Sequence, residues 1–310
     1  MTQLKLVFAI KNKEKKEKKS RKGNEMKLLL SILILLSPLG ALGKTILLTN
    51  DDGFEAPGIT ALYEALTAAN HNVMLVAPAT QQSGSSASSQ TGGIALKQHT
   101  DSIYSVTGRP ADAVRIGLAE VFKDTNPDLV ISGANFGQNV GRDVIVSGTV
   151  GAAATALTFG IPTIAISVEI KFSELEDRFP STLEAMQDAA NLVVALLASE
   201  PKLPANAILN INYPAVAKDQ VKGVVATTLA DHSVFDGTYR KLPDGTLRGN
   251  FNLIPPVRRG TDAYELSQGY VTVTRLDGTY GMPSNRTLRQ LASDLNKLVS
   301  VNRQQTVSRY

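Results

Sequence analysis

Residues 45–53, Thr-Ile-Leu-Leu-Thr-Asn-Asp-Asp-Gly, begin as an unbroken apolar run and end in two adjacent carboxylates and a glycine. The run reads as a strand, and continuous apolar strands belong to parallel sheets whose faces are covered by helices. In open α/β sheets ligands collect beyond the carboxyl ends of the strands, which is where Asn50, Asp51 and Asp52 fall. Neighbouring side chains on a strand point to opposite faces, so the two aspartates share no target within it. A turn at Gly53 lifts that restriction and lets both carboxylates converge on one hard divalent cation. Asn-Asp-Asp-Gly is equally ordinary turn chemistry, with Asp52 placed to cap a helix over 58–69. The tetrapeptide alone carries both readings.

The alternation begun here continues along the chain. Apolar runs at 45–49, 72–77, 128–132 and 163–167 predict strands, and the patterns at 58–69, 111–122, 149–158 and 181–198 predict helices. This order defines an α/β fold with a doubly wound, mostly parallel sheet. Beyond 209 the character changes. Segments 208–213, 221–227 and 270–275 read as further strands, and Pro243-Asp244-Gly245 is a turn between two arms of a β-hairpin within 236–252. Such an antiparallel extension is a common device for oligomer contacts.

Residues 1–43 read as a leader. A lysine-rich run at 11–22 precedes Met26-Lys27, the apolar LLLSILILL and the small residues Ala41 and Gly43. That is the pattern of a secretory signal peptide over 26–43, cleaved before Lys44. The apolar run is short for a transmembrane helix, and no cysteine is present to carry a lipid. The expectation is a periplasmic or secreted protein with no stable membrane anchor after cleavage; a cytoplasmic location is the alternative. The leader carries 10 of the 32 basic and 3 of the 28 acidic residues, so the remainder holds 22 and 25 and is acidic by three charges. The sequence pI of 9.1 therefore belongs largely to the leader and gives no sign of a nucleic-acid duplex as partner.

The absence of cysteine excludes disulfides, zinc-thiolate sites and thiol catalysis together. His71, His99 and His232 lie too far apart in sequence for a familiar histidine metal motif. Hard oxygen ligands are the chemistry that remains. Ala77-Pro78 opens a serine- and glycine-rich loop that places Ser83 at the crevice, unless the loop is merely a flexible linker. In 132–154, Gly133, Gly137 and Gly141 let backbone approach a ligand, while Asn135 and Asn139 supply uncharged amides. Ser147-Gly148-Thr149 opens an alanine-rich helix whose N-terminus suits phosphate; a serine cap on a buried helix is the plainer alternative. The dinucleotide fingerprint and the Walker A lysine are both missing. In TGRPAD, at 107–112, Asp112 reads as a helix cap and Arg109 as either solvated or facing an anion.

Taken in order, ILLTNDDG, APATQQSG, TGRPAD, SGANFGQNVGRD, SGTV, GIPTIAIS, LNINYP and GYVTVT span about 45–275. Together they resemble the SurE family of survival proteins, metal-dependent 5′/3′-nucleotidases. The resemblance implies a Rossmann-like core in a nucleotidase domain over 44–310. It also implies an oligomerisation extension at about 228–310, exchanged between subunits of a homodimer or homotetramer. By the same resemblance Asp51, Asp52, Ser83 and Asn135 are ligands of one divalent ion, Mg2+ or Mn2+, with Asp51 and Asp52 the catalytic pair. Asn50, Asn139, Ser147, Gly148 and Thr149 are implied to contact the phosphate of a nucleoside monophosphate. The implied reaction is hydrolysis of 5′- and 3′-monophosphates to nucleoside and phosphate by metal-activated water.

The chain departs from the family pattern at Thr80-Gln81-Gln82, where charged residues are common, and at Ala113, Val146 and Thr155. These departures leave the ligand positions intact and bear on nucleoside specificity. The alternatives are an exported broad-specificity acid phosphatase and a noncatalytic nucleotide-binding stress protein. A phosphatase of the haloacid-dehalogenase type wants alternating aspartates, whereas Asp51 and Asp52 are adjacent.

Overall fold

Strand β1 (Thr45–Thr49) lies at the centre of the sheet, paired in parallel with β2 (Asn72–Pro78) on one side and β5 (Leu129–Phe136) on the other. The computed structural model describes residues 43–279 apart from 124 and 205, with five further positions between 286 and 293. The expected signal peptide, save Gly43, and most of the expected extension beyond 279 lie outside the described residues.

The remaining sheet strands are β3 (Leu96–Gln98), β4 (Ile103–Val106), β6 (Thr163–Val168), β7 (Ile208–Tyr213), β8 (Val224–Thr227) and β11 (Val271–Leu276). They complete a nine-stranded sheet in the order β3-β4-β2-β1-β5-β6-β7-β11-β8. From β4 to β7 every pairing is parallel; β3 and β11 run antiparallel to their inner neighbours. The chain builds outward from β1 through β2 and β4, then returns to the other flank of β1 with β5. Strand order therefore reverses at β1 and β5, the switch point where ligand crevices form in such sheets.

Helices α1 (Pro57–Ala68) and α4 (Pro180–Ala198) cover one face, and α2 (Pro110–Ile116) and α3 (Gly148–Thr158) the other. The alternation along β1 assigns its residues to both layers. Ile46 and Leu48 pack with Ile59, Leu62, Met186 and Val193, whereas Leu47 packs with Val76, Val114 and Ala152. Each such fully buried aliphatic side chain contributes roughly 1.5–3 kcal/mol, which makes this run the anchor of both layers. The mostly parallel doubly wound sheet expected from the sequence is the observed fold.

The differences are local. β3 and β4 lie in a stretch with no assigned strand, because β3 is exposed along its whole length and carries no apolar alternation. The strand expected to end at 132 continues to Phe136, with a register shift between Ser132 and Asn135. Gly133 permits this: its φ is +137°, and a Cβ there would lie 2.1 Å from the Ile166 carbonyl oxygen. The short helix α5 (Asp262–Ser267) was not anticipated either.

The expected hairpin is present as β9 (Phe235–Lys241) and β10 (Leu247–Leu253), closed by the turn containing Pro243-Asp244-Gly245. It forms a separate two-stranded sheet, and Tyr239 and Leu247 on it are exposed. Two carboxylates tie its base to the body. Asp143 accepts from Ser233 Oγ and from Val234 N at 2.8 Å. Buried Asp262 accepts from Gly141 N at 3.0 Å and from Ala230 N and Ala263 N at 2.9 Å each. Among the described residues no helix is long and apolar enough to cross a membrane.

Candidate active site

Where β1 ends, Asn50 shapes the turn. Its side chain is fully buried and closes on Gly53, with Nδ2 donating to the carbonyl at 2.8 Å and Oδ1 accepting from the amide at 3.2 Å. Beyond it the two aspartates part. Asp51, 2% exposed, meets the first turn of α3, where Thr149 Oγ1 donates to its Oδ1 at 2.5 Å. Asp52 Oδ2 accepts from the Phe136 amide at the end of β5 at 2.7 Å.

Burial raises the Asp51 carboxyl above the usual carboxylate range, opposed by the Thr149 hydroxyl and by the amides of Thr149 and Gly148. Burial, then the charge of Asp51, push Asp52 up to about 7, against the pull of the Phe136 amide. Two neighbouring carboxylates, one buried and one half-buried, are an arrangement that a cation beside them would stabilise.

Asp51, Ser83, Asn135, Asn139 and Ser147 line one cleft of about 290 Å³. Asn135 Nδ2 donates to the Gly137 carbonyl at 2.6 Å, which leaves Oδ1 buried without a hydrogen-bond partner. A buried amide oxygen left this way costs about 1–3 kcal/mol unless something binds it. Ser83 is exposed at the cleft and its Oγ accepts from Gln81 Nε2. Asp52 is not part of the cleft lining; its carboxylate is held by the amide of Phe136, the residue after Asn135. Among the described residues no three His, Cys, Asp or Glu side chains gather as a metal site. The donors that fit an ion are instead two carboxylates, an unpaired amide oxygen and a hydroxyl, an all-oxygen set that suits a hard divalent cation.

The remaining expected residues have the following partners. Asn139 is locked by β6 and β7: its amide donates to Asn212 Oδ1 at 2.7 Å and its Nδ2 to Ser167 Oγ at 2.8 Å. Ser147 caps α3, with Oγ accepting from Val150 N at 3.0 Å. Gly148 lies against the acid: a Cβ there would come within 2.7 Å of Asp51 Cβ and Oδ2. Thr149 spends its hydroxyl on Asp51. Asp112 is the expected cap, accepting from Arg109 N at 3.0 Å and also from Gln90 N at 3.0 Å. Arg109 turns to the serine-rich loop, donating to Ser88 Oγ at 2.7 Å.

Sequence reasoning passed over Gln138, Asp143, Ser233 and Phe235, which also line the cleft. Gln138 and Asp143 stood in the quoted glycine-rich segment, but their side chains gave no local signal. Ser85 was equally silent, although its Oγ is buried and unpaired against Gly148.

An open, mostly parallel sheet whose central strand ends in an acid pair at the switch point defines a Rossmann-like α/β protein. A family model described as Survival protein SurE matches residues 46–236, and the chain belongs to that family. A relative from Nitratidesulfovibrio vulgaris (strain Miyazaki F), named 5′-nucleotidase SurE, is 38% identical over 239 residues, covering 74% of this chain and 85% of its own. One of the same name from Psychrobacter cryohalolentis is 41% identical over 233 residues, covering 72% and 79%. The crystal structure of the SurE protein from Aquifex aeolicus matches with a TM-score of 0.66 at 29% identity, over 81% of this chain and 99% of that one.

Proposed function

We propose that the chain is a 5′-nucleotidase, a phosphoric monoester hydrolase acting on nucleoside 5′- and 3′-monophosphates with one divalent ion, Mg2+ or Mn2+. The observation that carries this reading is the acid pair of buried Asp51 and half-buried Asp52, both raised above the usual carboxylate range, with the unpaired oxygen of Asn135 in the same cleft as Asp51. Asp51, Asp52, Ser83 and Asn135 would hold the ion. When bound, it supplies a Lewis acid that polarises the phosphoryl group and acidifies the attacking water.

The chain's own residues do the positioning. Thr149 and the first amides of α3 hold Asp51 in one orientation and favour its ionised form. The Phe136 amide does the same for Asp52, and Asn50 keeps the turn between them closed. Asn139 and Ser147 border the space for the phosphoryl oxygens, next to the partial positive charge at the start of α3.

The test is phosphate release from nucleoside 5′- and 3′-monophosphates and an aryl phosphate, with Mg2+, Mn2+ or chelator. Release is expected to fall by roughly 100-fold or more in chelator. Turnover indifferent to chelator, or nucleotide binding without turnover, sinks the reading. A rate equal on aryl phosphate and nucleotides favours the broad-specificity phosphatase instead.

Export and oligomerisation are separate parts of the proposal. Lys44, the residue expected to follow the cleavage point, donates its backbone N–H to His71 Nδ1 at 3.0 Å. A two-stranded hairpin is marginal in isolation, and the exposed Tyr239 and Leu247 support a homodimer or homotetramer built through it. Native mass spectrometry reads both: subunits beginning at Lys44 in an even-numbered assembly are expected. A monomer, or subunits retaining Met1 or Met26 in a soluble cytoplasmic product, removes the corresponding part.

A further inference from the structure

A second cavity, of about 240 Å³, lies beside the cleft and beneath the base of the hairpin. Its walls are apolar, made by Val140, Val234, Pro255 and Leu266 among others, and its polar residues include Gln138 and Glu169. The two cavities adjoin. Gln138 lines both, and the consecutive residues Val234 and Phe235 line one each. Glu169 directly follows β6, so this cavity occupies the same crevice beyond the strand ends as the acid pair. A mostly apolar cavity that carries a few polar groups and shares Gln138 with the cleft offers the chemistry a nucleobase needs.

The polar groups are oriented. Gln138 is 7% exposed, and its Oε1 accepts from Ile170 N at 3.0 Å, so the amide turns its Nε2 donors the other way. Gln138 is the residue common to the two cavities. Glu169 Oε2 accepts from Ala215 N at 3.1 Å, and that is the single hydrogen bond its carboxylate makes among the described residues. A carboxylate has room for several donors, and partial burial raises this one, opposed by the Ala215 amide and the charge of Lys171.

We propose that this cavity holds the base of the substrate, that Glu169 reads it, and that the preferred base is guanine. The inference rests on the nucleotidase reading above. Guanine offers adjacent N1–H and N2–H donors, which the two oxygens of one carboxylate accept together. Adenine turns a bare N1 acceptor toward the same oxygens, and hypoxanthine keeps N1–H while lacking the amino group. The order expected is therefore GMP, then IMP, then AMP.

The experiment compares kcat/KM for 5′-GMP, 5′-IMP, 5′-AMP and an aryl phosphate in the full chain and in Glu169→Gln. The glutamine keeps the size of the side chain and an oxygen for Ala215. The wild type is expected to favour GMP over AMP by roughly 10-fold or more, the value of one hydrogen bond to a charged group. In Glu169→Gln that ratio should fall to within about 3-fold, mainly through KM for GMP, since an amide offers one acceptor where the carboxylate offered two. Melting temperature checks that the variant folds. If it does not, Glu169→Asp, which withdraws the carboxylate by one methylene, should reduce the same ratio. A wild type that hydrolyses GMP, IMP and AMP alike, and all three faster than the aryl phosphate, overturns the inference and leaves the nucleotidase reading intact, as does a GMP-to-AMP ratio unmoved by substitution. A wild type inactive on every ester is the separate failure of that reading, and calorimetric GMP and AMP affinities of the two proteins then decide the base pocket by the same ratio.

Discussion

Asp52→Asn is expected to reduce metal-supported phosphate release by roughly 10²–10³-fold while making the metal-free protein more stable. Both effects have one cause. Burial and the charge of Asp51 raise Asp52 from 3.8 to about 7 in the folded protein. With the folded value above the unfolded one, the folded state binds the extra proton between these limits. Stability of the metal-free protein then falls as pH rises from about 4 toward 7 and stays low above it. At about 1.4 kcal/mol per unit, the ionised acid costs a few kcal/mol at neutral pH. Asparagine has no charge to bury, so the Asp52 contribution to that slope disappears. An added divalent ion favours the ionised acid, so its stabilisation of the wild type should grow with pH. Thermal melting from pH 4 to 8, with chelator and with Mg2+, measures all of this. A variant that turns over normally, or melts with an unchanged pH slope, takes Asp52 out of the site.

Gly133→Ala is expected to cost roughly 3–5 kcal/mol of folding stability and most of the activity. The added methyl would lie 2.1 Å from the Ile166 carbonyl oxygen and 2.8 Å from its Cγ2, at a φ of +137°. The obstacle is backbone of the neighbouring strand, so it yields only by parting β5 from β6. Asn135 stands two residues on and would move with the strand. Gly160→Ala is the control: its φ is +72° with nothing within 4 Å, so about 1 kcal/mol is expected. Denaturant titration of both variants checks the contrast, and equal midpoints would mean that the approach to Ile166 is not a constraint.

Much of the architecture was readable along the chain. The apolar runs that became β1, β2, β5 and β6 are local signals, and so is the Pro-Asp-Gly turn of the hairpin. β3 was unreadable because an exposed three-residue edge strand has no periodicity to detect. The extension of β5 to Phe136 was hidden because Gly133 looks like the start of a loop, and only the presence of β6 keeps the kinked strand paired.

The candidate site was legible in a different way. The acid pair and the helix start at Ser147 are visible as motifs, but what each side chain does depends on its partner. Thr149 carries no local sign of its partner, and in the structure its hydroxyl donates to Asp51, 98 positions away. Asp143 and Asp262 look like surface acids, yet they fasten the hairpin base across 91 and 121 positions.

The sequence by itself determined that this is a parallel α/β protein, that its first strand ends in an acid pair, and which family it resembles. Those properties depend on short-range periodicity and on motifs a few residues long. Only the tertiary structure decided that Asn135 is left with an unpaired oxygen, that Asp52 is driven toward neutrality, and that Glu169 stands beside Gln138 in a slot next to the cleft. These outcomes follow from strand order and from which groups lose water on packing, and neither is encoded in the immediate neighbours of any one residue.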